Sequence, residues 1–302
     1  MTLANIVAKR GGDLYANGCK ASIPGPGHSQ ADRSVSLMLG NDGRVVIHSF
    51  ASEDWREIMD DLRRDQLVDE AERPLVAGGV DRTSWPKPAS DRERIAAAAR
   101  QWDVGRPIAD TLSARYLRLR AITRTLPGSE ALRHNTDTLV SAYKPTSRVW
   151  PALLAGIRAP EGDLSGVEIT YLDPNGRRTQ RLRLSRKTIG AVPTGSAVRL
   201  DPADAEMLVG EGVCTTLSAS QYFGLPGWAL LSEGNLSRWT PPEGVSTLLI
   251  AGDRGRPGEN AAACLAGRAR AKGVRCLVRF PPKPHGDWNT ALQAERARLQ
   301  KA

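Results

Sequence analysis

Two short apolar runs, each stopped by a carboxylate, constrain this chain more than any other feature. Met207-Leu208-Val209-Gly210 runs into Glu211, and Thr247-Leu248-Leu249-Ile250-Ala251-Gly252 runs into Asp253. Short continuous apolar runs mark strands buried on both faces, as in a parallel sheet. The surrounding pattern reads β-α-β-β-α-β-α, with strands predicted at 206–209, 228–231, 247–252 and 274–280. Helices are predicted at 213–223, 257–272 and 287–299. Side chains at the carboxyl ends of parallel strands converge on one crevice, so Glu211 and Asp253 are placed to share a divalent metal ion. Asp287 is the third acid of that crevice. Mg²⁺ (or Mn²⁺) suits such a site, because it takes hard oxygen ligands and leaves positions for water and substrate phosphates.

The rest of the chain is long enough, at 302 residues, for further domains. A formal net charge of +9 favours an anionic partner, most often nucleic acid. Cys19, Cys214, Cys264 and Cys276 form no Cys-x-x-Cys pair, and three of them lie in runs that read as core. That usage fits a reduced interior rather than a disulfide scaffold. No apolar span approaches ~18 residues and no signal-peptide pattern opens the chain. The expectation is a cytoplasmic protein with no membrane partner.

Residues 1–70 read as a small α+β module. A helix over 3–9, strands over 34–39 and 44–50 joined by Asn41-Asp42-Gly43, and a helix from Trp55 to about Leu67 capped by Asp54 are predicted. Residues 71–92, with Pro74, Gly78-Gly79, Pro86 and Pro88, read as a linker. Residues 93–200 carry helices over 92–102 and 111–119, then strands over 150–157 and 166–172. The alternating stretch Arg177–Leu184 is expected to return as the second strand of a ribbon, with Leu182 and Leu184 on one face. Arg177, Arg178, Arg181, Arg183, Arg186 and Lys187 form the densest basic cluster. Phosphate contact and an ordinary solvated face are both open readings of it. Arg254 and Arg256 are further nucleic-acid-binding candidates. Cys214, lacking a partner base, reads as core, and His285 and Asn289 as loop residues.

Several local patterns are similar to those of a known family. Glu211-Gly212, the run into Asp253, Gly258 with Ala261-Ala262 behind it, and Gly286-Asp287-Trp288-Asn289 resemble the Toprim domain of phage-, plasmid- and mobile-element-type DNA primases. Tyr171-Leu172-Asp173-Pro174-Asn175-Gly176 is similar to the segment preceding that domain. Gly25-Pro26-Gly27-His28 followed by Asp32-Arg33-Ser34-Val35-Ser36-Leu37 resembles the primase zinc ribbon, yet Gly25, Ser49 and Glu53 stand where three of its ligands would be. A structural zinc site needs about four N or S ligands, so no structural zinc is expected, and His28 reads as a loop or nucleic-acid contact.

The resemblance implies an α/β fold: a Rossmann-like Toprim domain over 201–302, a mostly parallel sheet with helices on both faces. It is preceded by the α+β module and a helical and β-ribbon middle region. The resemblance also makes Glu211 the acid/base group and Asp253 and Asp287 metal-site acids. The usual Asp-x-Asp reads Asp253-Arg254-Gly255 here, so Glu259 becomes a substitute ligand. The implied activity is Mg²⁺-dependent nucleotidyl transfer on single-stranded DNA with nucleotides as substrates, aided by a replicative helicase or another replication protein. Two alternatives compete: a non-catalytic nucleic-acid-binding replication accessory protein, favoured by Gly255 and the missing zinc ligands, and a Toprim-type nuclease.

Overall fold

The computed structural model describes residues 2–15, 18–30, 32–40, 42–49, 54–75, 90–143, 146–182 and 184–300. Two compact units divide the chain, residues 1–88 and 89–302.

The first unit is built from α1 (Ala4–Arg10), β1 (Asp13–Tyr15), β2 (Lys20–Ile23), β3 (Val35–Leu39), β4 (Val45–Ser49) and α2 (Trp55–Arg64). The four strands form an antiparallel sheet in sequence order. Strands β1 and β2 were not predicted; three and four residues are too few for alternation to register. Asp54 caps α2 by accepting from the Arg56 amide. Ile58, Met59 and Leu62 on α2 share a core with Ile6, Ile23 and Leu37. Residues 71–75 fold back on this unit through a Val68–Pro74 bridge and a Leu75 amide bond to Leu67 O. Residues 76–89, most of the expected linker, lie outside the described residues, as does Glu53.

The turn resembling a zinc knuckle is organised around a carboxylate. Asp32 Oδ2 accepts from the Gly25 amide and from His28 Nδ1, each at 3.0 Å, and from the Ser34 hydroxyl. The Ser34 bond, followed by the Gly25 amide, holds the Asp32 carboxyl well below the usual carboxylate range.

The second unit opens with α3 (Asp91–Asp103) and α4 (Leu112–Leu119) and continues into β5 (Leu132–Leu139), β6 (Val149–Arg158), β7 (Leu164–Tyr171) and β8 (Arg186–Gly190). These strands form a second antiparallel sheet in sequence order. Ser90 and Glu93 close a capping box on α3. The pleat of β6 sorts its side chains: Ala152 and Leu154 pack with Trp102 of α3, while Leu153, Ala155 and Ile157 pack with Leu117 of α4. Gly156 leaves room for the Trp102 ring, which a Cβ there would meet at 2.9 Å.

The basic ribbon departs from its prediction. The strand begins at Arg186, not Arg177. Tyr171 is hydrogen-bonded both to Thr179, through its carbonyl, and to Ser185, through its amide, each at 2.9 Å. The described residues between Thr179 and Ser185 therefore loop out of the ladder. Thr179 Oγ1 binds Asp173 Oδ1 at 2.7 Å and secures the base of this excursion. Leu182 is buried, but Leu184 is 55% exposed, so the two do not share a face. Arg183 lies outside the described residues.

The last sheet comprises β9 (Val198–Arg199), β10 (Glu206–Gly210), β11 (Gly227–Ala229), β12 (Thr247–Ala251) and β13 (Arg275–Arg279), in the order β13-β12-β10-β11-β9. Its pairs are parallel except at β9, an unpredicted antiparallel edge strand. Its helices are α5 (Val213–Phe223), the short α6 (Glu233–Leu236), α7 (Arg256–Ala271) and α8 (Trp288–Leu299). Met207, Val209, Leu248 and Ile250 face α6 and α7. Leu208, Leu249 and Ala251 face α5 and α8 through Ala219 and Trp288. Helices thus cover both faces, as the continuous apolar runs require. Cys264, on α7, and Cys19 are both exposed, so at most two of the four cysteines lie in the core where three were expected. No helix among the described residues is long and apolar enough to cross a membrane.

Candidate functional site

Parallel pairing sets Gly210 of β10 opposite Ala251 of β12. Glu211 and Asp253 consequently leave the sheet at the same end, on strands about 4.8 Å apart. Two backbone connections bring further acids alongside. Past β11 the chain stays beside the end of β10, with Leu230 N bound to Gly210 O at 2.9 Å and Leu231 N to Glu211 O at 2.7 Å. Ser232 then caps α6, and Glu233 opens that helix beside Glu211. On the other side, Arg254 N binds Gly286 O at 2.7 Å, which ties the loop carrying Asp287 to Asp253.

The electrostatics report the same grouping. Burial, then the charges of Glu211, Asp287 and Glu233, push the Asp253 carboxyl up to about 7. Burial, then Glu233, raises Glu211, and Arg186 partly offsets the rise. Asp253 Oδ1 is buried without a hydrogen-bond partner. Among the described residues, no three acidic, histidine or cysteine side chains stand close enough to hold one ion between them.

The sequence-predicted residues separate into groups. Glu211 and Asp287 both lie within electrostatic reach of Asp253, though the three do not close into one ligand cluster. Asp287 also caps α8, accepting from the Thr290 amide at 2.6 Å. Glu259 is exposed on the first turn of α7, where its Oε1 reaches the Gly255 amide at 3.5 Å, and it is not among the carboxylates acting on Asp253. Arg254 is held by its Nε on Pro281 O at 2.7 Å, and Arg256 is exposed at the start of α7. Arg177, Arg178 and Arg181 are exposed on the loop after β7. Arg186 faces both Glu211 and Glu168. Lys187 reaches back to Val140 O at 2.7 Å and over the Tyr171 ring. Cys214 packs on the core with its thiol toward the Tyr116 hydroxyl at 3.8 Å, and burial pushes that thiol up. Asn289 is fully buried, its Nδ2 on Arg120 O and Ser218 Oγ at 2.8 Å, so it joins α4, α5 and α8.

Two site residues were missed. Glu233 stands two residues past the predicted strand 228–231, the same offset as Glu211 from 206–209, so a strand-end signal for it was available; in the fold it opens α6 after a three-residue connection from β11. Glu168 lies on β7, where burial raises its carboxyl and Arg186 lowers it. A lone acid in the apolar run Gly166–Leu172 was the available signal for it.

Residues 206–297 match the Toprim domain family, and residues 92–200 match the family described as Domain of unknown function (DUF7146). The C-terminal part of the second unit is a Toprim domain. A search of curated proteins finds no match. Among solved structures, the chain is similar to the primase fragment of the bacteriophage T7 primase-helicase protein at 16% identity, covering 51% of this chain and 62% of that one, with a TM-score of 0.37. It is similar to the Aquifex aeolicus primase (zinc binding and RNA polymerase domains) at 13% identity, covering 100% and 83%, with a TM-score of 0.44. A third similarity is to a DnaG primase catalytic domain bound to single-stranded DNA, at 16% identity, covering 70% and 82%, with a TM-score of 0.43.

Proposed function

We propose that this protein is a DNA primase-like nucleotidyltransferase that acts on single-stranded DNA and nucleotides with Mg²⁺ or Mn²⁺ at the Toprim crevice. The observation carrying the reading is Asp253: raised to about 7, one oxygen orphaned, and within electrostatic reach of Glu211, Asp287 and Glu233. A half-buried excess of negative charge of this kind is costly unless a cation offsets it. Hard oxygen donors fit Mg²⁺, which needs only one or two carboxylates beside substrate phosphates. Asp253 would hold the ion, with Glu211, Asp287 and Glu233 adding charge around it. Once bound, it supplies polarisation of a phosphoryl oxygen and compensation of developing charge. Glu211, with its raised pKa, is suited to take the proton from an attacking hydroxyl. Arg186, beside Glu211 and Glu168, would pair with incoming phosphate.

One observation favours a non-catalytic accessory protein instead. Gly255 has φ 118° at the entry to α7, a conformation that an aspartate adopts only with strain. The backbone here is thus shaped without the second acid of the usual pattern. Template-dependent primer synthesis on single-stranded DNA, comparing wild type with Glu211→Gln and Asp253→Asn, tests the choice. Metal-dependent product that both substitutions abolish supports the enzyme. DNA binding without product, unaffected by either substitution, supports the accessory protein.

A further inference from the structure

The strongest feature outside the acidic crevice is a concavity of about 460 Å³ on the domain spanning 92–200. Arg106, Arg115 and Arg118 line it, with His134 and the carboxylate of Asp110. Arg106 is fixed by reciprocal backbone bonds to His134 on β5, both 2.8 Å. Arg115 and Arg118 are three residues apart on α4, so their side chains leave the same face. His134 is 1% exposed and hydrogen-bonded to Ser113 Oγ at 2.8 Å. Burial, then Arg106, holds it below its ordinary 6.5, so it stays neutral near pH 7.

None of the three arginines forms an ion pair among the described residues, whereas Arg33, Arg63, Arg124 and Arg158 each do. Three guanidiniums against one carboxylate leave the lining with two surplus positive charges. Guanidinium forks match phosphate oxygens in geometry and hydrogen-bond donors. The stem of Arg115 lies on Gly176, where a Cβ would come within 2.8 Å of it. The same turn continues into Arg177 and Arg178. The concavity sits at β5, three strands from the β8 edge where Arg186 faces Glu211. At about 4.8 Å per strand that is roughly 14 Å, so this is a second site.

We propose that this concavity binds phosphate groups, supplied by a single nucleic-acid strand or by the phosphate chain of a free nucleoside triphosphate. The assignment does not depend on catalysis at Asp253. The test titrates the full chain with labelled oligo(dT) and separately with ATP, for wild type, Arg106→Ala/Arg118→Ala and Arg106→Lys/Arg118→Lys. Arg115 is left intact because it also packs the Gly176 turn. At about 100 mM salt the alanine pair should weaken binding at least roughly tenfold, and for oligo(dT) reduce the slope of log K against log salt by about 1.4, since each single-strand phosphate contact contributes about 0.7. The lysine pair should keep the slope. Loss for oligo(dT) alone assigns a strand, and loss for ATP alone assigns a free nucleotide. Should the alanine pair fail to fold, Arg118→Gln on the exposed face of α4 should give half the slope change. Affinities within twofold of wild type for both probes, or no wild-type binding to either, would overturn the proposal. Binding is read directly, without primer synthesis, which keeps this result separate from the proposed catalytic function.

Discussion

Removing the charge of Asp253 should stabilise the metal-free protein. In the fold its carboxyl rises from an ordinary 3.8 to about 7. The native state therefore holds a proton over a pH range where the unfolded chain has released it, and stability from this group falls as pH rises from about 4 to about 7. Above 7 the full cost is present. At roughly 1.4 kcal/mol per pKa unit the upper bound is about 4 kcal/mol; solvent reaches the group, and halving for screening leaves about 2 kcal/mol. For a unit of this size that is roughly 4–8 °C in melting temperature. Asp253→Asn should show this gain at pH 8 without divalent metal and about a third of it at pH 5. Five of the seven tryptophans lie in residues 89–302, so tryptophan fluorescence follows the relevant unit. Adding Mg²⁺ at pH 8 should raise the melting point of wild type and leave the variant unmoved. A variant no more stable than wild type at pH 8, or equally stabilised at both pH values, would refute the electrostatic reasoning.

Other outcomes follow from individual contacts. Asn289→Ala should cost about 2–3 kcal/mol, because it strips a buried amide, leaves Arg120 O unpaired and removes the bond that Ser218 Oγ accepts; chemical denaturation measures it. Gly255→Asp should lower stability by about 1–2 kcal/mol, from its φ of 118°, with no gain in primer synthesis. Elemental analysis of purified protein should find no stoichiometric zinc, since Asp32 already organises the turn that resembles a zinc knuckle.

The Toprim domain was legible because both of its signals are local. Buried parallel strands write continuous apolar runs, and an acid ending such a run has one place to go. The helix over 213–223 agrees with α5 to the residue. Glu233 also follows a predicted strand, but its closeness to Glu211 was not legible, because that is set by Leu230 and Leu231 bonding to the end of β10, a tertiary event without a sequence period. The basic ribbon misled for the opposite reason: Arg177–Leu184 alternates, but Tyr171 pairs with both Thr179 and Ser185 and expels the segment from the ladder. Glu259 read as a substitute for the acid missing at Gly255, while the dipole at the start of α7 accounts for its position. The arginine-lined concavity needed Arg106 and His134 brought together across a loop and a strand, which spacing cannot announce.

The most direct test of the account is a crystal of the protein soaked in Mn²⁺, with the ion located by its anomalous scattering. The account predicts a peak bonded to Asp253, with Glu211 beside it. Arginine side chains filling the crevice, with no peak at Asp253, would contradict it.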